Sequence, residues 1–226
     1  MKNVPILIFV IVEATLGALI QFTSGTAERI LCFSAVLLAM LFAMLSLRKS
    51  FSALLTAIGL LFTVCADVFL VLIPDGDKLL AMCFFTCVQL FYFVRVFREN
   101  DSNTVRKCHI ICRISILAFA FLLTVIVLGE NSDALSVVSV LYFANLLVNI
   151  VFSFFNVKRS PLFAIGLLLF AFCDILVGFS MLDFYIPISE TSLIYLLNHT
   201  GINLIWLFYV PSQTLIALSS GATGEN

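Results

Sequence analysis

Charged residues are scarce in this sequence. Lys and Arg number 12 and Asp and Glu 13 among 226 residues, so 11% of the chain is charged, whereas 62% is apolar. Soluble globular domains are nearer a quarter charged and half apolar, and the composition therefore excludes a soluble enzyme. The basic residues are scattered and form no stripe that could displace counterions from a nucleic acid. We therefore expect no nucleic-acid partner.

Several catalytic motifs are also absent. The chain has only two histidines, His109 and His199, and neither has a second metal ligand at a suitable spacing within an apolar run. It has no G-x-S-x-G turn, no P-loop and no glycine-rich dinucleotide turn. Most of the seven cysteines lie inside apolar runs, which is typical of small buried side chains. We therefore expect no metal, no cofactor and no disulfide framework, and any chemistry falls to carboxyl groups.

Apolar runs of about 20 residues, the length that spans the roughly 30 Å hydrocarbon core of a bilayer, use nearly the whole chain. We predict an all-α, polytopic integral membrane protein with one domain, residues 1–226, and eight transmembrane helices joined by short loops. The predicted spans are residues 4–23, 29–47, 52–73, 78–97, 109–129, 134–155, 161–182 and 198–218.

The basic residues predict the orientation of these spans. All of them except Arg29 and Lys78 fall at the N-terminus or on loops after even-numbered spans, and Arg95 and Arg113 are counted among these loop residues. By the positive-inside rule, we expect both termini on the cytoplasmic side of the membrane, which we take to be a bacterial cell membrane. The loops on the opposite face carry the acidic residues Asp75, Asp77, Glu130, Asp133, Asp183 and Glu190.

A short repeat places two acids inside the membrane. The sequence AIGLL occurs at residues 57–61 in the third span and at 164–168 in the seventh, and an aspartate, Asp67 or Asp174, follows each copy by six residues. The copies are four spans apart and run in the same direction, as in two parallel four-helix halves, residues 1–105 and 106–226. Both aspartates lie about 9–12 Å from the outer end of their helix, so we expect them to face one cavity.

An aspartate at this depth costs on the order of 2.5–3.5 kcal/mol to insert, which other interactions must offset. We interpret the pair as a candidate catalytic site. The alternative is that each carboxyl is hydrogen bonded to a neighbouring helix and serves packing only. Other polar residues at membrane depth are candidates for the same cavity: Glu13, Gln21, Gln89, Tyr92, Tyr142, Asn145, Asn149, Asn203, Tyr209 and Gln213.

Four segments, taken in order, match the pattern of a known family. Residues 59–70, GLLFTVCADVFL, are similar to G-L-x-F-S-x-x-G-D-x-x-L, and residues 84–97 are similar to the F-x-x-x-H-x-x-Y segment that follows it. Residues 166–174, GLLLFAFCD, are similar to G-A-x-x-F-x-x-S-D, and residues 209–216, YVPSQTLI, to Y-x-x-A-Q-x-L-I. With these segments the chain resembles the YhhN-type membrane lysoplasmalogenases, a family of small eight-span proteins.

The chain also departs from this family pattern. Its departures are Ala66 in place of Gly, Gln89 in place of His, Cys173 in place of Ser, and Arg29-Ile30 in place of Lys-Pro. The two aspartates and the terminal tyrosine and glutamine are kept. We therefore expect a retained catalytic core with altered head-group recognition, and loss of activity is the alternative.

The resemblance implies hydrolysis of the vinyl ether bond of lysoplasmalogen, a lysophospholipid, to a fatty aldehyde and a glycerophospho-ethanolamine or -choline. Protonation of the β-carbon gives an oxocarbenium ion that water captures, so the reaction needs one acid and one base, as in glycosidases. Two carboxyls in one low-dielectric cavity hold a proton between them. The catalytic residues are then Asp67 and Asp174. Which is the acid stays open, and we take Asp67. Residues expected to orient water or substrate are Gln89, Tyr92, Tyr209 and Gln213, and those expected to line the cavity are Glu13, Asn145 and Asn149.

Two other functions fit the same residues. In a small transporter coupled to protons or another cation, the acids would carry the ion, as in transporters built from parallel repeats. In a structural or assembly protein, both aspartates would tolerate replacement by asparagine.

Overall fold

The computed structural model describes residues 4–182 and 189–222, and these residues are almost entirely helical. The helices are α1 Val4–Ile20, α2 Gly25–Met44, α3 Phe51–Asp67, α4 Lys78–Glu99, α5 Asn103–Leu128, α6 Ala134–Phe154, α7 Pro161–Met181, α8 Leu193–Asn198 and α9 Leu204–Ala222. A π-helical turn, Val68–Leu72, continues α3, and a 3₁₀ turn, Gly129–Asn131, follows α5. Lys2, Asp183 and the last four residues of the chain, which all entered the predicted orientation, lie outside the described residues.

Seven of the described helices are long and apolar enough to cross a membrane, and α1 is a shorter apolar helix. These eight helices correspond to the eight predicted spans, so the all-α polytopic fold is confirmed. Two boundaries were wrong. Helix α5 begins six residues early because Ser102 caps it by accepting a hydrogen bond from the Val105 N–H, and the last span begins only at Leu204 because Leu193–Asn198 forms the separate helix α8.

Six helices form a ring in which α2, α3, α4, α6, α7 and α9 each pack against the next, and α9 closes on α2. Helix α9 also contacts α3, while α1 packs outside on α2 and α9, and α5 packs outside on α6. The buried core of the ring is apolar, with Leu60, Leu167, Phe170 and Ile216 almost inaccessible to solvent. The ring is the frame that holds the acidic residues of α3 and α7.

Three pairs of neighbouring helices in the first half have counterparts in the second half. The pair α1 and α2 corresponds to α5 and α6, α3 and α4 to α7 and α9, and α2 and α3 to α6 and α7, and each of these pairs is in contact. Two parallel halves would pack in this way. The halves 1–105 and 106–226 themselves stay a prediction.

The glycine in each copy of AIGLL lies where two helices approach closely. A Cβ on Gly59 would overlap the ring of Tyr92 on α4, and a Cβ on Gly166 would lie 2.7 Å from Cγ1 of Ile216 on α9. Small residues allow such close backbone approaches between membrane helices. The repeat therefore places equivalent glycines at the α3–α4 and α7–α9 interfaces.

Two of the acidic loop residues cap helices. The carboxylate of Asp77 accepts a hydrogen bond from the Leu80 N–H at the start of α4, and that of Asp133 accepts one from the Ser136 N–H at the start of α6. Ser136 in turn caps the backbone N–H of Asp133, which completes a capping box. The hydrogen bond from the Ser136 backbone lowers the pKa of Asp133.

Candidate functional site

Asp67 ends α3 and Asp174 lies in the last third of α7, and each carboxyl group is bound by a tyrosine from a neighbouring helix. Tyr209 Oη donates to Asp67 Oδ2 at 2.9 Å, and Tyr142 Oη donates to Asp174 Oδ2 at 2.5 Å. Asp67 and Asp174 are near enough for their charges to interact. The structure thus pairs each aspartate predicted from the repeat with one of the polar residues predicted beside it.

The backbone changes its geometry directly after Asp67. The α-helix gives way to the π-helical turn Val68–Leu72, which ends with a hydrogen bond of 2.9 Å from the Ile73 N–H to the Val68 carbonyl. Gly76 folds back onto the Phe69 carbonyl, where a Cβ would not fit. π-Helical turns are rare and are found frequently at functional sites. Asp67 is therefore held at the junction between two helix geometries.

A row of aromatic rings joins the two tyrosines. The ring of Tyr142 lies 5.6 Å from that of Phe85, Phe85 lies 5.9 Å from Phe170, and Phe170 lies 5.5 Å from Tyr209. Trp206 packs edge-on against Tyr209 at 5.1 Å. These rings form an apolar wall beside both carboxyl groups, which lowers the local dielectric and strengthens every charged interaction there.

A cavity of about 380 Å³ lies where α1 and α7 end and α2 and α9 begin. Its wall includes Leu176, which is two residues from Asp174 on α7, and Ile205, which is one helical turn from Tyr209 on α9. The cavity lies at the membrane face predicted to be outside the cytoplasm, and its described lining includes neither of the two aspartates, which were expected to face one cavity, nor their tyrosines.

A model of the YhhN family matches residues 29–220, which is most of the chain. The chain belongs to the YhhN family. No curated protein and no solved structure matches it. The YhhN match includes both aspartates and both tyrosines of the site, and it begins one residue after Glu28.

In this YhhN protein, the two asparagines predicted to line the aspartate cavity contact a buried arginine instead. Arg113 of α5 donates from Nη1 to Asn145 Oδ1 and from Nη2 to Asn149 Oδ1, and Asn149 Nδ2 donates to Gln89 Oε1 at 2.9 Å. His109 Nε2 lies 3.1 Å from Arg113 Nη2. Asn145, Asn149 and Gln89 thus form a separate polar cluster between α4, α5 and α6.

The remaining predicted residues, Tyr92, Gln213 and Glu13, are buried between helices. Tyr92 packs against Gly59 and meets Phe163 edge-on, with ring centroids 5.2 Å apart. Gln213 lies one turn after Tyr209 on α9, and its Nε2 donates to Ser212 Oγ at 3.4 Å. Within the described ranges, Glu13 Oε1 and Gln213 Oε1 are buried oxygens without a hydrogen-bond partner. The hydrogen bonds that the described residues make to the two carboxyl groups come from the tyrosines and from none of these side chains.

Two arginines counted with the loops from the sequence are buried inside helices, so their placement was wrong. Besides Arg113, Arg95 of α4 is fully buried, and its guanidinium donates to Glu99, Thr56, Ser219 and Ser160. Arg95 Cζ also lies 3.8 Å above the ring of Phe163. The spacing of Arg95 and Glu99, four residues apart on one helix, is the only local signal that could have revealed this cluster.

Proposed function

We propose that this YhhN protein is an intramembrane hydrolase that cleaves the vinyl ether bond of lysoplasmalogen. The observation that carries the proposal is the pair of intramembrane aspartates, the buried Asp67 and the half-buried Asp174, each oriented by a tyrosine hydroxyl. Two carboxyls arranged in this way supply an acid and a base in one apolar site.

The chemistry follows from the two carboxyl groups. The protonated aspartate, which we take as Asp67, donates its proton to the β-carbon of the vinyl ether and leaves an oxocarbenium ion. The ionised aspartate, Asp174, accepts a proton from the water that attacks this cation, which gives a hemiacetal. In the collapse of the hemiacetal, Asp174 returns its proton to the leaving ether oxygen and Asp67 accepts the proton of the hemiacetal hydroxyl. The carbon–oxygen bond breaks, the aldehyde and the free hydroxyl of the glycerophospho head group are released, and both carboxyl groups are back in their starting states.

The tyrosines leave one oxygen of each carboxyl group available for this chemistry. Tyr209 and Tyr142 both bind Oδ2, and no side chain or backbone group of the described residues donates to Oδ1 of Asp67 or Asp174. A hydrogen bond to an ionised group contributes about 1.5–3 kcal/mol. The tyrosines therefore orient the carboxyls and stabilise whichever one is charged, while Oδ1 faces the proton or the water.

The test is aldehyde release from lysoplasmenyl-ethanolamine by the purified protein in lipid vesicles. We expect Asp67→Asn and Asp174→Asn each to lower the rate at least about 100-fold, since each removes a proton-transfer group. Tyr209→Phe and Tyr142→Phe should lower it about 10- to 100-fold. Asp75→Asn, the same change on an exposed loop, is the matched control and should leave the rate unchanged.

Full activity in both aspartate variants would contradict the proposed mechanism. Cation-coupled uptake into vesicles without any aldehyde release would favour the transporter instead. If cells that carry the variant with both aspartates replaced by asparagine show no phenotype, a structural role would be favoured.

A further inference from the structure

The cavity near the aspartates has a polar rim that the proposed reaction does not use. Its volume of about 380 Å³ is at the lower end of the range for small-molecule sites, about 300–1,000 Å³, which fits a lipid head group better than a whole lipid. The polar side chains of its wall are Gln21, Thr23, Glu28, Ser180, Asn198, Thr200 and Asn203.

Among the described residues that line this cavity, Glu28 is the one that carries a charge. Its Oε1 accepts a hydrogen bond of 2.7 Å from Asn203 Nδ2. Across residues 4–182 and 189–222, no basic group lies within salt-bridge distance of Glu28, and no donor binds its second oxygen. Among the described residues, the carboxylate of Glu28 in this cavity therefore has no counter-cation.

A network of hydrogen bonds holds this carboxylate in place. The backbone N–H of Asn203 donates to Gln21 Oε1 at 2.8 Å, and Gln21 Nε2 donates to the Asn203 carbonyl at 3.3 Å. Asn203 Oδ1 also accepts from the backbone N–H of Trp206 at 3.3 Å. Asn203 is thus fixed from α1 and α9, and its amide orients Glu28 of α2. Glu28 lies in the first turn of α2, where the helix dipole favours a carboxylate, and this carboxylate also borders the open cavity, where it can bind a cationic ligand.

We propose that Glu28 binds the ammonium group of a zwitterionic lysophospholipid, so that the cavity is the head-group site of this protein. This inference rests on the proposed lysoplasmalogen hydrolysis and names the residue that selects the head group. The neutral amides and hydroxyls around Glu28 add no positive charge, so an anionic head group without an amine lacks a matching partner in the cavity.

The dimensions agree with this assignment. Nine bonds separate the ethanolamine nitrogen from the vinyl ether oxygen, about 11 Å in an extended chain at roughly 1.2 Å per bond. Ser180, on the cavity wall, lies six residues beyond Asp174 on α7, which is about 9 Å along the helix axis. A lipid whose ammonium group lies level with Ser180 would therefore place its ether oxygen at about the depth of Asp174.

The test measures binding, so that it does not depend on catalysis. The probe is a lysophosphoethanolamine whose alkyl chain is joined by a saturated ether and cannot be cleaved, titrated by calorimetry into the full-length protein in lipid nanodiscs. A saturated-ether lysophosphoglycerol, which is anionic and has no amine, is the comparison ligand. We expect Glu28→Gln to weaken binding of the ethanolamine lipid about 10- to 100-fold and that of the glycerol lipid less than about threefold.

Three controls make the result decisive. Glu130→Gln, the same change at an exposed loop residue, should leave both affinities unchanged. Glu28→Asp keeps the charge and should retain the preference for the amine even if Glu28→Gln folds poorly. Asp67→Asn should bind the ethanolamine lipid normally, so loss of hydrolysis and loss of head-group recognition are distinguishable.

Equal affinity of wild type and Glu28→Gln for the ethanolamine lipid would overturn the proposal. Equally tight binding of free phosphoethanolamine would also overturn it, because the site would then not be specific for a lipid.

Discussion

Replacement of Arg95 by methionine should destabilise this protein strongly. The guanidinium is fully buried and donates to Glu99 Oε1 at 3.0 Å and to Ser219 and Ser160 at 2.8 Å each, and it thereby joins α4 to α9 and to the start of α7. Methionine has a similar length and no charge, so the variant removes the hydrogen bonds without leaving a large void. The principal effect is that the carboxylate of Glu99 loses its counter-cation in a site where its side chain is only 8% exposed.

The expected loss of stability follows from the cost of breaking a buried ion pair by removing one partner, which is about 3–5 kcal/mol. For a domain of this size, 1 kcal/mol corresponds to about 2–4 °C in Tm, so the expected shift is about 6–20 °C. Arg98→Met is the matched control on the same helix. Arg98 is exposed, with its Cζ 4.3 Å above the ring of Phe51, and its loss should cost no more than about 1 kcal/mol.

Thermal unfolding in detergent can be followed with a thiol-reactive dye, since Cys32 and Cys173 are buried free thiols that become accessible on unfolding. The double variant Arg95→Met/Glu99→Gln should recover part of the lost Tm because it removes the unpaired carboxylate. Equal shifts for Arg95→Met and Arg98→Met would refute the reasoning. A double variant no more stable than Arg95→Met would show that the unpaired charge is not the source of the cost.

Two further predictions concern helix packing and capping. Gly166→Ala should destabilise the protein by about 1–3 kcal/mol, because its Cβ would meet Ile216 and the backbone of α9. Gly178→Ala on the same helix, where no atom lies within 4 Å, should be neutral or stabilising, and equal Tm losses for the two variants would contradict the close α7–α9 contact. Asp133→Ala should lower Tm at pH 7. Since the Ser136 N–H lowers the pKa of Asp133, the stability from this cap is full above the unfolded value of about 3.9 and is lost as pH falls through the folded value. A Tm difference that persists unchanged at pH 2 would show that the ionised cap is not its cause.

Much of the site could be predicted from residue types and spacing. Acids inside apolar runs are costly in a membrane, which marks Glu13, Asp67 and Asp174, and the AIGLL repeat then singles out the two aspartates. The side chains that bind these aspartates were harder to predict from the sequence. Tyr142 and Tyr209 belonged to a long set of intramembrane polar residues, and nothing local separated them from Asn145 and Asn149, which bind Arg113 instead.

The positions of two arginines show why local sequence patterns do not predict burial. An arginine near the end of an apolar run is predicted to lie in a cytoplasmic loop, and most of the basic residues in this chain agree with that prediction. Arg95 and Arg113 do not, because hydroxyl and amide groups on other helices accept their hydrogen bonds inside the bundle. Those acceptors lie as far as 124 residues away along the chain.

The sequence by itself determined the class of this protein, the eight membrane helices and the two aspartates, because hydrophobic length and the cost of burying a charge are properties of a segment alone. The tertiary structure decided which groups those aspartates meet. The tyrosine that binds Asp67 is 142 residues away, and Glu28 faces a cavity only because the ends of four helices meet around it. Such contacts depend on how helices pack side by side, and apolar helices of similar length can pack in many ways until shape and hydrogen bonding select one.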